Sequence, residues 1–251
     1  MHKEELILWH LGNMSFHGKT LVMTWMAMIA VIVFCYLGVR NLTSDKPGKM
    51  QNVLEWVVDF VRSIIKDNME YEKGRPLLNY LLTLIMFVLF ANMVGLFPNL
   101  TFNLFEHFHI EFAQLNKIFE GASWMSPTSD VNTSLALGFL SIILVVGLGI
   151  KHKGLHYFHH FMEPYPALLL VNIIDFVMKP VTLGLRLFGN IFAGEVLLMV
   201  IHMITGPWAF AAIIPNALWL AISAAIGLIQ AYIIVVLTVA YINQAVASDA
   251  H

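Results

Sequence analysis

The run PYPALLLVNIIDFVMKPVTLGLRLFGNIFAGEVLLMVIHMITG, residues 164–206, is apolar along its length yet carries Asp175, Lys179, Arg186 and Glu195. As one helix over 166–206 it would be about 60 Å long, at 1.5 Å per residue. The hydrocarbon core of a bilayer is only about 30 Å thick, and ordinary tilts of about 20° do not absorb a twofold excess. The next run, 209–247, is as apolar and nearly as long, with no charge before Asp249. Either both segments break, or the pair lies steeply inclined as a long hairpin. Pro180 and Gly184 offer a kink in one, Pro215 and Gly227 in the other. An inclined hairpin would suit one purpose, covering the side of something large and apolar within the membrane.

The rest of the chain agrees with a membrane setting. Its 14 Lys and Arg and 16 Asp and Glu make up 12% of 251 residues, half of the roughly 25% usual in soluble domains. Apolar residues reach 59% and mean hydropathy is +0.75, which excludes intrinsic disorder. A net charge of −2 without any basic run excludes a nucleic-acid binder. Cys35 is the single cysteine and lies in an apolar run, so no internal disulfide and no cysteine metal cluster is expected.

Gaps between charges give the other spans. Residues 20–39 form a first membrane helix, 76–98 a second and 131–150 a third, preceding the two long segments. The expected fold is therefore all-α, a polytopic membrane protein with about five crossings in a single membrane domain. Acidic Glu4 and Glu5 replace the cationic start of a secretory signal, so 20–39 reads as a retained helix after an external N-terminus, 1–19. Arg40, Lys46, Lys49, Arg62, Lys66, Lys73 and Arg75 follow the first span, and Lys151 and Lys153 follow the third. Basic loops face the cytoplasm, which puts the N-terminus outside and the C-terminus inside.

Two connecting segments carry helical apolar stripes. In 50–68 they are Val53, Leu54, Val57, Phe60, Val61, Ile64 and Ile65, opposite Glu55, Asp59, Arg62 and Lys66. In the external segment 101–120 they are Phe105, Phe108, Phe112, Leu115 and Phe119. Such helices lie flat at an interface or pack on the rest of the protein.

An ionisable residue inside a membrane helix is a functional-site hypothesis by default. Asp175 and Lys179, four apart, can pair on one face. Arg186 has no charged residue within one turn and does not deprotonate, so it can act only as a fixed cation. Glu195 is nine residues on, on the opposite face and about 13 Å outward; Asp175 is eleven residues before, on nearly the same face and about 16 Å toward the cytoplasm. A central cation with a titratable carboxylate offset to each side is the layout of two half-pathways that do not join. His202 falls on the Glu195 stripe and could extend the outer path; Asn190, four beyond Arg186, can hydrogen-bond on its face. On the last segment Ser223, Gly227 and Gln230 share a face with Tyr241. With a turn near residue 207, Gln230 lies opposite Arg186, and a lone Gln in apolar surroundings needs a partner.

At LRLFGNIFAGE, 185–195, the chain resembles subunit a of F-type ATP synthases. NMVGLFP at 92–98, DVNTSLALG at 130–138, KPVTLGLRLFGN at 179–190 and IQAYIIVVLTVAYI at 229–242 carry the resemblance over nearly the whole chain. It implies that Arg186 faces the carboxylate of a rotating c-ring and separates two half-channels. It implies Glu195 and Asn190 in the outer half-channel and Gln230 beside the arginine. Ser223 stands where some relatives carry histidine, so His202 or water would serve there. It also implies the inclined hairpin, a bacterial plasma membrane rather than a thylakoid one, and translocation of H⁺ or Na⁺. The expected partners are the c-ring, the subunit b peripheral stalk, the remaining synthase subunits and lipid, with no cofactor, no metal and no catalysis by this chain alone.

Two other classes compete. His152, His156, His159 and His160 resemble one box of membrane di-iron oxygenases, but those enzymes need further boxes, and only His107 and His109 are on offer, on the opposite side. A free-standing secondary transporter predicts inverted repeats between halves, and none is visible.

Overall fold

The computed structural model describes residues 8–11, 14–43, 46–107, 126–154, 157, 169–205 and 209–246. The body is all-α, as the apolar runs predict. A short antiparallel hairpin precedes it, β1 (Leu8–Leu11) paired with β2 (Met14–His17). No residue pattern in the expected external N-terminus announces this hairpin.

Helix α1 (Gly18–Val39) follows directly from β2. Helix α2 (Lys49–Asn68) has three faces rather than two. Val61, Ile64 and Ile65 are buried in the core, Glu55, Asp59, Arg62 and Lys66 are exposed and polar, and Met50, Val53 and Trp56 form a second, exposed apolar strip. The helix thus packs on the protein and also offers an apolar flank to its surroundings.

A short α3 (Tyr71–Gly74) and a 3-10 turn (Arg75–Leu77) lead into α4 (Leu78–His107). The apolar run predicts a second span that ends at Pro98 and a separate external segment from 101. Instead α4 continues through Pro98 to His107, so 101–107 is its extension. The remainder of that segment, with Phe108, Phe112, Leu115 and Phe119, lies outside the described residues.

A 3-10 turn (Pro127–Ser129) opens the next helix, α5 (Val131–Lys153). Ser126 caps the turn, its Oγ accepting from the Thr128 N–H, and Asp130 caps α5 by accepting from the Asn132 N–H. Each cap satisfies a backbone donor left free at a helix start. Gly154, at φ 61°, ends α5 in the left-handed region that favours glycine.

The two long segments are unbroken: α6 (Leu169–Thr205) has 37 residues and α7 (Ala209–Val246) has 38. Pro180 and Pro215 lie inside them without interrupting the helices. That removes the alternative in which each run breaks into two. Among the described residues, four helical stretches are long and apolar enough to cross a membrane: Thr20–Val39, Tyr71–Gly95, Val131–Lys153 and Ile214–Val246. The fifth expected crossing corresponds to α6, which carries the four charges.

The core forms where α4 and α7 meet, with Leu81, Met86 and Val88 against Val235, Val239 and Ile242; Ile142 of α5 and Leu187 of α6 close it. Helices α5 and α6 approach closely through two glycines. A Cβ on Gly138 would stand 2.5 Å from the Pro180 carbonyl oxygen, and one on Gly184 would stand 2.7 Å from Leu135 Cα. Small residues that let backbones touch are the usual device of packing between membrane helices. Outside the core, large apolar side chains of α1, α6 and α7 are exposed, among them Ile32, Leu170, Leu218 and Leu228. So broad an apolar exterior suits lipid or a membrane partner rather than water.

Candidate functional site

Helix α6 carries the site. Its unbroken course keeps Asp175, Arg186 and Glu195 at the spacing read from the sequence. The α6–α7 register is antiparallel: Trp219 meets Gly194 near one end and Gln244 meets Lys179 near the other.

Toward the end of α6 nearest α7's start, a small cavity of about 20 Å³ is lined by Asn92, Ser126, Asn190, Glu195, Trp219 and Ser223. Such a volume has room for about one water. Three of the residues singled out from sequence therefore meet, Asn190, Glu195 and Ser223. Glu195 is half-buried, and its Oε1 accepts from the Ser126 N–H at 2.7 Å. The Trp219 indole Nε1 donates to the Gly194 carbonyl at 3.0 Å. Ser223 is 6% exposed, and its Oγ has no hydrogen-bond partner among the described residues. His202 lies on α6 as expected, but its side chain is outside what the structure describes.

Toward the other end a larger cavity of about 170 Å³ is lined by Asn172, Asp175, Lys179, Tyr241 and Gln244, with Ile142 and Phe176 among the apolar walls. Several waters fit in that volume. Lys179 Nζ is 3.6 Å from Asp175 Oδ2, the i,i+4 pair the spacing predicts. It also reaches Gln244 Oε1 at 3.4 Å and sits 5.1 Å from the Tyr241 ring centre. One ammonium thus ties α6 to the far end of α7.

Arg186 stands between the two cavities along the helix. It is exposed and makes no hydrogen bond or ion pair among the described residues. Around it the outer surfaces of α6 and α7 are apolar and exposed, with Leu185, Phe192, Val196, Leu228 and Ile229. A permanently charged guanidinium on such a surface favours an anion or polar group brought to it from outside.

Gln230 corrects one expectation. The register does set it at the level of Arg186, but no hydrogen bond joins them among the described residues. Gln230 is only 7% exposed, turned into the bundle, whereas Arg186 is on the outer surface. A shared level along two helices does not give a shared face.

Sequence reasoning missed Asn92, Ser126, Thr128 and Trp219. Thr128 Oγ1 donates to Asn92 Oδ1 at 2.7 Å and contacts Ser126 Oγ at 2.6 Å, while Ser126 Oγ donates to the Ala91 carbonyl at 2.7 Å. The available signal was Asn92 itself, an amide inside an otherwise apolar run, where an unpaired polar group is costly. Among the described residues no group of three or more His, Cys, Asp or Glu could hold a metal ion. His156, His159 and His160 lie outside the described residues.

Residues 21–243 match the family described as ATP synthase A chain. Proteins named ATP synthase subunit a are similar throughout. That of Oceanobacillus iheyensis is 38% identical over 235 residues, covering 92% of this chain and 91% of the relative. That of Anoxybacillus flavithermus is 37% identical over 252 residues, 99% of each chain. That of Desulforamulus reducens is 30% identical over 245 residues, 96% of this chain and 84% of the relative.

Proposed function

This chain belongs to the ATP synthase A chain family, and on that premise we propose that Arg186 divides two offset half-paths for H⁺ or Na⁺ along its surface. The chain is the membrane stator subunit of an F-type ATP synthase, conducting ions for a rotor. The observation that carries the reading is the separation of the two polar cavities on α6, with Asp175 in one and Glu195 in the other, by a stretch whose outward charge is Arg186.

The mechanism is electrostatic. An ion arriving on the outer side passes Glu195, Asn190 and Ser223, with His202 one step further out, and neutralises a carboxylate of the c-ring. A neutral carboxylate can turn away into lipid, because the charged form is the one that hydrocarbon excludes. After nearly a full turn the ion leaves by way of Asp175. The ionised carboxylate then passes Arg186, which stabilises it and repels a cation leaking straight across. Gln230 supports the helix wall behind the arginine. Each elementary charge crossing 100 mV releases about 2.3 kcal/mol, which the rotor delivers to the subunits that make ATP.

In this reading the basic loops face the cytoplasm of a bacterial cell, the N-terminus lies outside and α7 ends inside. The apolar surface of α6 and α7 meets the c-ring, and subunit b of the peripheral stalk holds the chain against rotation. The deciding experiment is Arg186→Ala in the assembled complex. Ion-driven ATP synthesis should vanish while the complex still assembles; wild-type coupling in that variant would overturn the mechanism.

A further inference from the structure

A continuous chain of hydrogen bonds crosses the bundle from α7 to Glu195. Asn92 Nδ2 of α4 donates to the Gly227 carbonyl of α7 at 3.2 Å. On its other side Asn92 Oδ1 accepts from Thr128 Oγ1, and the Thr128 N–H donates to Ser126 Oγ at 3.3 Å. The Ser126 N–H then donates to Glu195 Oε1 at 2.7 Å. Asn92, Thr128 and Ser126 are all buried.

The position of that last donor is not set by a long helix. Ser126 precedes a three-residue 3-10 turn and is held by its Oγ on Ala91 and the Thr128 N–H, by Ser129 on its carbonyl and by its seat against Gly95. A Cβ on Gly95 would stand 2.5 Å from the Ser126 nitrogen, so glycine is what lets this segment lie so close to α4. An apolar residue at 92 would take the acceptor from the Thr128 hydroxyl and so remove one of the bonds that fix the backbone addressing Glu195, alongside those from Ser134 to the Thr128 carbonyl and from Ser129 to the Ser126 carbonyl.

We propose that Asn92 is a positioning residue for Glu195, acting through Thr128 and Ser126 and referenced to α7 through Gly227. The inference rests on the reading that Glu195 belongs to the outer half-path. Asn92 sets the direction of the Ser126 N–H, and that donor holds the carboxylate toward the cavity it shares with Asn190 and Ser223. Because the chain is anchored on α7 three residues before Gln230, the carboxylate is registered to the helix that faces the rotor as well as to its own.

The test uses membrane vesicles holding the whole complex. ATP synthesis driven by an imposed ion gradient is measured against outer pH for Thr128→Val, Thr128→Ser, Asn92→Ala and Glu195→Gln, and for Thr128→Val combined with Glu195→Gln. Thr128→Val and Asn92→Ala should lower the rate about tenfold, as misplacement of a reacting group does, and should move the outer-pH profile. Thr128→Ser, which keeps the hydroxyl, should restore both rate and profile. In the Glu195→Gln background Thr128→Val should change neither. If Thr128→Val does not assemble, Asn92→Ala in the two backgrounds makes the same comparison. A cost of equal size with and without Glu195, or a Thr128→Ser variant no better than valine, would overturn the proposal. A Glu195→Gln variant with the wild-type rate and pH profile would instead overturn the outer-path reading on which it rests.

Discussion

The Trp219 indole Nε1 donates to the Gly194 carbonyl at 3.0 Å, joining α7 to α6 one residue before Glu195. A Cβ at Gly194 would stand 3.4 Å from Ser223 Oγ, an ordinary contact, so the two helices meet here at normal packing distance. Trp219→Phe keeps most of the ring and removes the donor, a net loss of about 1 kcal/mol. The complex should assemble, with ion-driven synthesis lowered about threefold as the α6–α7 register loosens near the carboxylate. An unchanged rate would mean that this bond serves packing alone.

Replacing Glu195 with Gln keeps an acceptor for the Ser126 N–H but removes a titratable group from the outer cavity. Synthesis should fall less severely than in Arg186→Ala, by about a hundredfold, the lower end of what one positioned proton-transfer group contributes. Vesicle assays of ATP synthesis decide the matter, and a wild-type rate would remove Glu195 from the path.

Gly138→Leu should leave little assembled complex. Even its Cβ would stand 2.5 Å from a backbone oxygen of Pro180, which has no rotamer by which to yield. Overpacking of this kind costs about 1–3 kcal/mol or more. Native electrophoresis of detergent-extracted complex gives the amount, and normal assembly would show that α5 can retreat from α6.

Tyr157, just beyond α5, packs its ring over Gly149, and its burial raises the phenol above its ordinary value near 10. The folded state therefore favours the neutral phenol. The contribution is complete below pH 10 and is lost as pH climbs through the raised folded value. Within that window each pH unit removes up to about 1.4 kcal/mol. Thermal melts at pH 9–11 should show a steeper alkaline decline in wild type than in Tyr157→Phe; parallel declines would contradict this.

Local features of this molecule were legible in its sequence, and distant ones were not. Helix periodicity gives the Asp175–Lys179 pair, because residues four apart must be neighbours. Counting from the turn near 207 gives the level of Gln230, since two antiparallel rods share one rise per residue. The same counting cannot give side-chain direction, which is why Arg186 and Gln230 lie level yet do not bond. The Asn92–Thr128–Ser126–Glu195 chain joins residues 36 and 69 positions apart, and no periodicity relates them. Pro98 misled for a physical reason. Proline forgoes one hydrogen bond and disfavours the turn before it, but α4 continues regardless to His107.

The glycine crossing of α5 and α6 has a mechanical meaning. In the proposed reading α6 is the surface on which a turning rotor would press, and a stationary part receives an equal and opposite torque at every step. At Gly138 and Gly184 backbone rests on backbone, with no flexible side chain between to be squeezed or sheared. Interiors packed this closely have low compressibility. A load on α6 would therefore pass into α5 through a backbone-to-backbone joint, with little of each step lost to elastic give between the two helices.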